Sequence, residues 1–307
     1  MEGAYYNGQY LNRLERLGYS QAEIDNKLER TFEEMFYGPE GVRLCHCAGP
    51  DMMYIEDTGN HDVRTEGMSY AMMFCVQMNR QKEFDCLWRW VVTHMYLTEG
   101  ENAGYFAWSC HTDGSKNSDG PAPDGEEFFA MSLFFAANRW GSGEGVLDYA
   151  SWARRILHAC VHKGEEAGSG FPMWNPENHL IKFIPNCEFT DPSYHLPHFY
   201  ELFALWSDEC DRPFWHAAAA ASRQYLRKAC HARTGLSAEY AEYDGRPHRG
   251  DQPDRHDWFF SDAYRTLGNI ALDAQWFGDK DGWAQETAAH IQQFFEEKEH
   301  GQTNGIY

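Results

Sequence analysis

Two kinds of apolar segment alternate along the chain. In the first kind, apolar and charged positions mix at helical spacing: residues 82–98 (KEFDCLWRWVVTHMYLT), 147–162 (LDYASWARRILHACVH), 212–231 and 281–298. Apolar side chains recurring every three or four residues form one buried face, and the charges between them face water. The second kind is apolar almost all round: EGMSYAMMFCV, EEFFAMSLFFAA and YHLPHFYELFALW, within 66–79, 124–139 and 191–207. Such a pattern predicts a helix buried on every side. The segment 257–277 is intermediate, with Ala263, Leu267, Ile270, Ala271 and Ala274 on one face. One more helix opens at Ser20, where Ser20 and Glu23 have capping-box spacing, and runs to about Phe36 before GPEG. The pattern therefore predicts nine helices.

Buried helix followed by surface helix, repeated, is the pattern of a double ring of α-hairpins. The inner helices begin near Glu66, Glu126, Ser193 and Asp262, roughly 60 to 70 residues apart, a structural repeat without sequence identity. Each is preceded by a polar loop carrying an acid or an aromatic residue. If the inner helices all run the same way, these loops gather at one end, and Glu66, Asp124, Tyr194 and Asp262 reach a shared cavity. That arrangement gives a reason for a carboxylate, costly to bury, at the mouth of a segment as apolar as EGMSYAMMFCV.

Composition agrees with an all-α fold. The chain has 307 residues, 43% of them hydrophobic, yet only 8 Ile and 7 Val, the residues that strands favour. Aromatic residues make up 16%, including 11 Trp and 17 Tyr, which suits either a ring-rich core or a groove that stacks sugars. A net charge of −21 argues against nucleic acid or an anionic membrane as partner and mildly favours neutral ligands. The opening MEGAYYNGQYLNRLERLGYS lacks the pattern of a secretory leader, and no apolar run is long enough to span a membrane. Nine cysteines, an odd number, are expected to be free thiols in the cytoplasm.

Hydrolysis of a glycosidic bond requires a proton donor for the leaving oxygen and a second carboxylate as base or nucleophile. Glu66 suits the donor if burial outweighs the helix N-terminus, and Asp262 suits the base. Spacing alone favours the plainer reading, that both are ordinary first-turn acids that complement a helix dipole. Other polar clusters read blandly. DGSKNSDG (113–120) imitates a calcium loop but has Ser118 where glycine is required and Asp124 at the twelfth position, so a polar loop rimming the cleft is expected. Cys45-His46-Cys47 lacks a second pair at zinc spacing. His195 and His198 read as hydrogen-bonded core or cleft histidines, and HAAAAAS (216–222) as close helix packing.

The stretches DTGNHDVRTEGMSYAMM, AGYFAWSC, GPAPDGEEFFAMSLFFAANRWG, LIKFIPNCEFTDPSYHLPHFYELFALW and FFSDAYR, in this order, resemble glycoside hydrolase family 8. Within it they resemble the members that release xylose from the reducing end of oligosaccharides. The resemblance implies an (α/α)6 barrel and an inverting hydrolysis of β-1,4-linked xylo-oligosaccharides. It implies that Glu66 in RTEG is the general acid and Asp262 in FSDAYR the general base. Asp124 in APDGEE matches the acid that holds and distorts the sugar at the cleavage point. Tyr194 in DPSYHLP matches a tyrosine beside the attacking water, Trp108 in YFAWSC a sugar-stacking tryptophan, and Arg265 is expected to orient Asp262 or its neighbours. This chemistry calls for no metal or cofactor.

A complete ring of six hairpins needs twelve helices. The nine of this chain lead to the expectation of a single catalytic domain, 1–307, shortened at its C-terminal end by three helices. Endo-acting hydrolysis of xylan or glucan, and sugar binding with impaired turnover, stay open as alternatives. The oligomeric state is also open, with a monomer expected for a complete chain.

Overall fold

The structure, a computed structural model, describes residues 2–165, 169–250, 255–298 and 300–302. The final residues of HGQTNGIY, 303–307, lie outside the described residues. The chain divides into two compact units, residues 10–159 and residues 1–9 with 160–307.

The unit of residues 10–159 carries the predicted first helix as α3 (Gln21–Tyr37), following two short helices that the pattern did not predict, α1 (Ala4–Asn7, of the other unit) and α2 (Arg13–Arg16). The capping box forms: the Glu23 amide donates to Ser20 Oγ and the Ser20 amide to Glu23 Oε2. The apolar segments become α4 (Thr65–Gln77) and α6 (Pro123–Trp140), which pack on each other. The one-sided segments become α5 (Gln81–Trp90) and α7 (Tyr149–His162). The predicted helix 82–98 is not uniform, because α5 widens into a π-helical turn at Val91–Met95. At the centre of this unit the buried Trp88 meets Phe106, Phe129 and Trp152, with ring centres 5.4–5.9 Å apart. Its indole N–H donates to the Val146 carbonyl at 2.8 Å, so the largest apolar side chain leaves no polar atom unmet.

Four very short strands escaped the helical reading: β1 (Cys45–Cys47) pairs with β2 (Met53–Ile55), and β3 (Val63–Arg64) with β4 (Ser109–Cys110). Segments of two or three residues are too short to show a period of two in sequence.

The other unit holds α1, α8 (Pro197–Trp206), α9 (Arg212–Ala229), α10 (Arg265–Phe277) and α11 (Trp283–Lys298). Two predicted helices are broken at their starts. The segment 191–207 opens with a 3-10 turn, Pro192–Tyr194, before α8, and 257–277 opens with a 3-10 turn, Ser261–Tyr264, before α10. Pro197 accounts for the first break, since proline biases the residue before it away from helical backbone, and Leu196 has ψ 63°. Arg223 of α9 ties three helices together. It donates to both oxygens of Asp273 on α10, at 2.7 and 2.8 Å, and to Glu201 on α8. Trp215 of α9 packs against Tyr200 and Phe203 of α8 and against Trp174 from an earlier loop.

Burial on every side is not reached. Phe74 of α4 is 46% exposed and Leu205 of α8 45%.

Candidate active site

The unit of residues 10–159 builds one group of candidate residues. Strands β3 and β4 pair Val63 with Cys110 and Arg64 with Ser109. The ladder is extended by the Thr65 amide, which donates to the Trp108 carbonyl at 3.0 Å. Trp108 and the first turn of α4 are therefore one rigid piece. Glu66 stands in that first turn, half-buried, with Oε2 withdrawn from solvent. Arg64 lies over the indole of half-buried Trp108, 5.1 Å from its ring centre. It is itself held by Asp62 at 3.0 Å and Asp57 at 3.5 Å. A half-buried indole braced by a cation suits stacking of a flat, weakly polar ligand.

Asp124 occupies the first turn of α6 and is only 2% exposed. What brings it near α4 is its neighbour. A Cβ on Gly125 would lie 2.5 Å from Thr65 Cβ and 2.6 Å from Thr65 Oγ1. Only glycine lets the two helix starts approach so closely. Next to them Glu126 is wholly buried, with Oε1 accepting the Phe106 amide at 3.0 Å. Burial raises its carboxyl well above the usual range against the pull of that amide, and the charge of Asp124 adds to the rise.

The other unit builds a second group. Asp191 caps the 3-10 turn Pro192–Tyr194: its Oδ1 accepts the Ser193 amide at 2.7 Å, and its carbonyl accepts the Tyr194 amide at 3.0 Å. The turn is pinned from outside, with the Tyr200 hydroxyl donating to the Tyr194 carbonyl at 3.1 Å and Asn269 to the Ser193 carbonyl at 2.7 Å. Tyr194 is buried, with the Arg265 guanidinium 5.9 Å from its ring centre. Arg265 forms an ion pair with Asp262, one turn earlier in the chain. Asp191, 1% exposed, is pushed up to about 7 by burial, against the opposing charge of Arg265 and with the charge of Asp262 adding to the rise.

The candidate residues thus fall in two sets. Glu66, Asp124 and Trp108 share one unit, while Asp262, Tyr194 and Arg265 share the other. Tyr194 and Asp262 stand in 3-10 turns rather than in the first turn of an α-helix, which corrects the sequence expectation. The sequence reading missed Asp191, although Asp-Pro is a helix-start signal, and it passed over the buried Glu126.

The bland readings fare as follows. His195 is a core histidine, its ring nitrogens 3.0 Å from Thr190 Oγ1 and 2.9 Å from Ser222 Oγ, stacked on Tyr225. Asp113 accepts from the amide and hydroxyl of Ser115, a local turn. His46 of β1 lies 3.2 Å from Glu56 and stacks on Tyr54. All nine cysteines are free thiols. No helix among the described residues is long and apolar enough to cross a membrane.

Residues 19–305 match the model of glycosyl hydrolases family 8. The chain is 55% identical over 299 residues to the reducing end xylose-releasing exo-oligoxylanase of Halalkalibacterium halodurans, covering 97% of this chain and 76% of that protein. It is 56% identical over 298 residues to the reducing-end xylose-releasing exo-oligoxylanase of Paenibacillus barcinonensis, covering 96% and 77%. A crystal structure of a reducing end xylose-releasing exo-oligoxylanase superposes with a TM-score of 0.95 at 55% identity, over 100% of this chain and 79% of the other. The fold class is accordingly that of the (α/α)6 barrels. On these matches and on the motifs around Glu66, Asp124, Tyr194 and Asp262, the chain belongs to glycoside hydrolase family 8.

Proposed function

We propose that this protein hydrolyses β-1,4-linked xylo-oligosaccharides with inversion, releasing xylose from the reducing end. The observation that carries this reading is 55–56% identity, over nearly the whole chain, to proteins named for that activity. In this reading Glu66 protonates the leaving glycosidic oxygen while Asp262 takes a proton from the attacking water. Inversion needs room for that water, hence carboxyl groups roughly 6.5–9.5 Å apart in the working enzyme. Tyr194 holds the water, Asp124 grips and distorts the sugar at the cleavage point, and Trp108 stacks on a sugar ring. Arg265 orients Asp262, an assignment supported by their ion pair. The chain is read as one catalytic domain, 1–307. Nine free thiols support a reducing, cytoplasmic setting.

The test is a time course on xylotriose labelled at its reducing end, with proton NMR of the first products. The reading expects labelled xylose plus xylobiose, the xylobiose appearing first as its α-anomer. An initial β-anomer would refute inversion. Cleavage confined to internal bonds of longer chains would make the enzyme endo-acting, and binding without products would make it a sugar-binding protein.

A further inference from the structure

Asp262 is delivered by an irregular segment. Its predecessor Ser261 has φ +46°, in the left-handed region where a residue with a Cβ is strained. Such a conformation persists only when its surroundings impose it. The surroundings come from residues 237–240, which run alongside. The Glu239 amide donates to the Trp258 carbonyl at 2.8 Å, and the Tyr240 amide to the His256 carbonyl at 2.9 Å. The side chains two residues apart on this run, Ser237 and Glu239, grip the segment on either side of Asp262. The Ser237 hydroxyl donates to Thr266 Oγ1 at 3.1 Å, four residues after Asp262. Glu239 Oε2 lies 2.7 Å from His256 Nδ1, six residues before it, and the Glu239 carboxylate also takes a hydrogen bond from Ser261. His256 is also stacked on Tyr240, ring centres 4.2 Å apart.

We propose that Glu239 is a positioning residue for Asp262, its carboxylate fixing both His256 and the strained Ser261 from which Asp262 follows. The inference rests on the reading of Asp262 as the catalytic base. A carboxylate suits the place because one side chain must accept from two donors within a region where Glu239 itself is only 6% exposed. A neutral amide at the same position accepts through one oxygen only, and its NH2 group faces a donor. Asp262 then loses its aim while the substrate-binding groups stay in place.

The experiment compares wild type, Glu239→Gln, Ser261→Ala, Asp262→Asn and the double variant Glu239→Gln/Asp262→Asn on xylotriose. Glu239→Gln is expected to lower kcat about tenfold to a hundredfold with KM nearly unchanged, the scale of loss from a misplaced catalytic group. Ser261→Ala, which removes only one of the two contacts, is expected to show a smaller loss of the same kind. In the Asp262→Asn background, Glu239→Gln should reduce the residual rate by less than about twofold, since it acts through Asp262. Unchanged kcat in Glu239→Gln overturns the proposal, as does an equal loss in both backgrounds or a raised KM at constant kcat. If Glu239→Gln does not fold, Ser261→Ala decides by the same criteria. Wild-type turnover by Asp262→Asn would instead overturn the reading of the base, a separate result.

Discussion

Glu66 and Asp262 have different surroundings. Glu66 has an oxygen withdrawn from solvent in the first turn of a largely buried helix, while Asp262 is partly exposed and paired with Arg265. If Glu66 and Asp262 act as the proposed acid and base, removing either is expected to cost about 10²- to 10⁴-fold in turnover. Kinetics of Glu66→Ala and Asp262→Asn on unactivated xylo-oligosaccharides check this, and near-normal turnover by either refutes its role. Two buried groups give opposite pH signatures. Asp191 has a folded value of about 7, above its ordinary 3.8, so folding favours its protonated form. Its contribution to stability is complete below about 4 and fades as pH rises through about 7. Asp191→Asn, which cannot ionise, should therefore gain in Tm relative to wild type between about pH 5 and about pH 8. His198, wedged edge-on against Phe199 and Trp276, is pushed down to about 3 from 6.5, chiefly by burial. Its contribution is present above about 6.5 and is lost as pH falls toward 3, so His198→Gln should flatten the fall of Tm below about pH 6.5. A variant that tracks wild type at every pH would contradict the burial argument for that residue.

At the scale of elements, the contact between the starts of α4 and α6 sets the geometry of Glu66 relative to Asp124. Gly125 faces Thr65 with no room for a methyl group. Gly125→Ala should therefore push the helices apart, with a stability loss of about 1–3 kcal/mol, the usual cost of overpacking. It should also lower kcat, because it displaces Glu66 and Asp124 together. Denaturant unfolding and xylotriose kinetics on the same preparation measure both. A variant with wild-type stability and turnover would show that this contact does not position the pair. The break before α10 is a second element-level device. There the 3-10 turn and the positive φ of Ser261 carry Asp262, where a regular helix start had been expected.

For the whole molecule, the net charge of −21 sets the long-range field. A neutral oligosaccharide gains nothing from that field, whereas an anionic one is repelled until salt screens it. Raising salt from about 10 mM to about 500 mM should change kcat/KM for unsubstituted xylo-oligosaccharides by less than about twofold. Oligosaccharides bearing uronic acid groups should improve over the same range. A steep salt dependence for the neutral substrate would mean that charge contributes to its capture.

The sequence by itself determined the helical class, the positions of the main helices and the identity of the candidate acids. Helical periodicity is a local property, repeated over ten or more residues, and motifs such as RTEG and FSDAYR carry their residue types openly. The capping box of Ser20 and Glu23 was legible for the same reason, since all its partners lie within four residues. Only the tertiary structure decided what surrounds each acid. The closeness of Gly125 to Thr65, the pairing of β3 with β4 that locks Trp108 to the start of α4, and the reach of Glu239 to His256 and Ser261 all join residues distant in the chain. No local pattern encodes those distances. The burial that moves Asp191 and His198 far from their ordinary protonation is a property of the packed interior, which exists only once the helices have met.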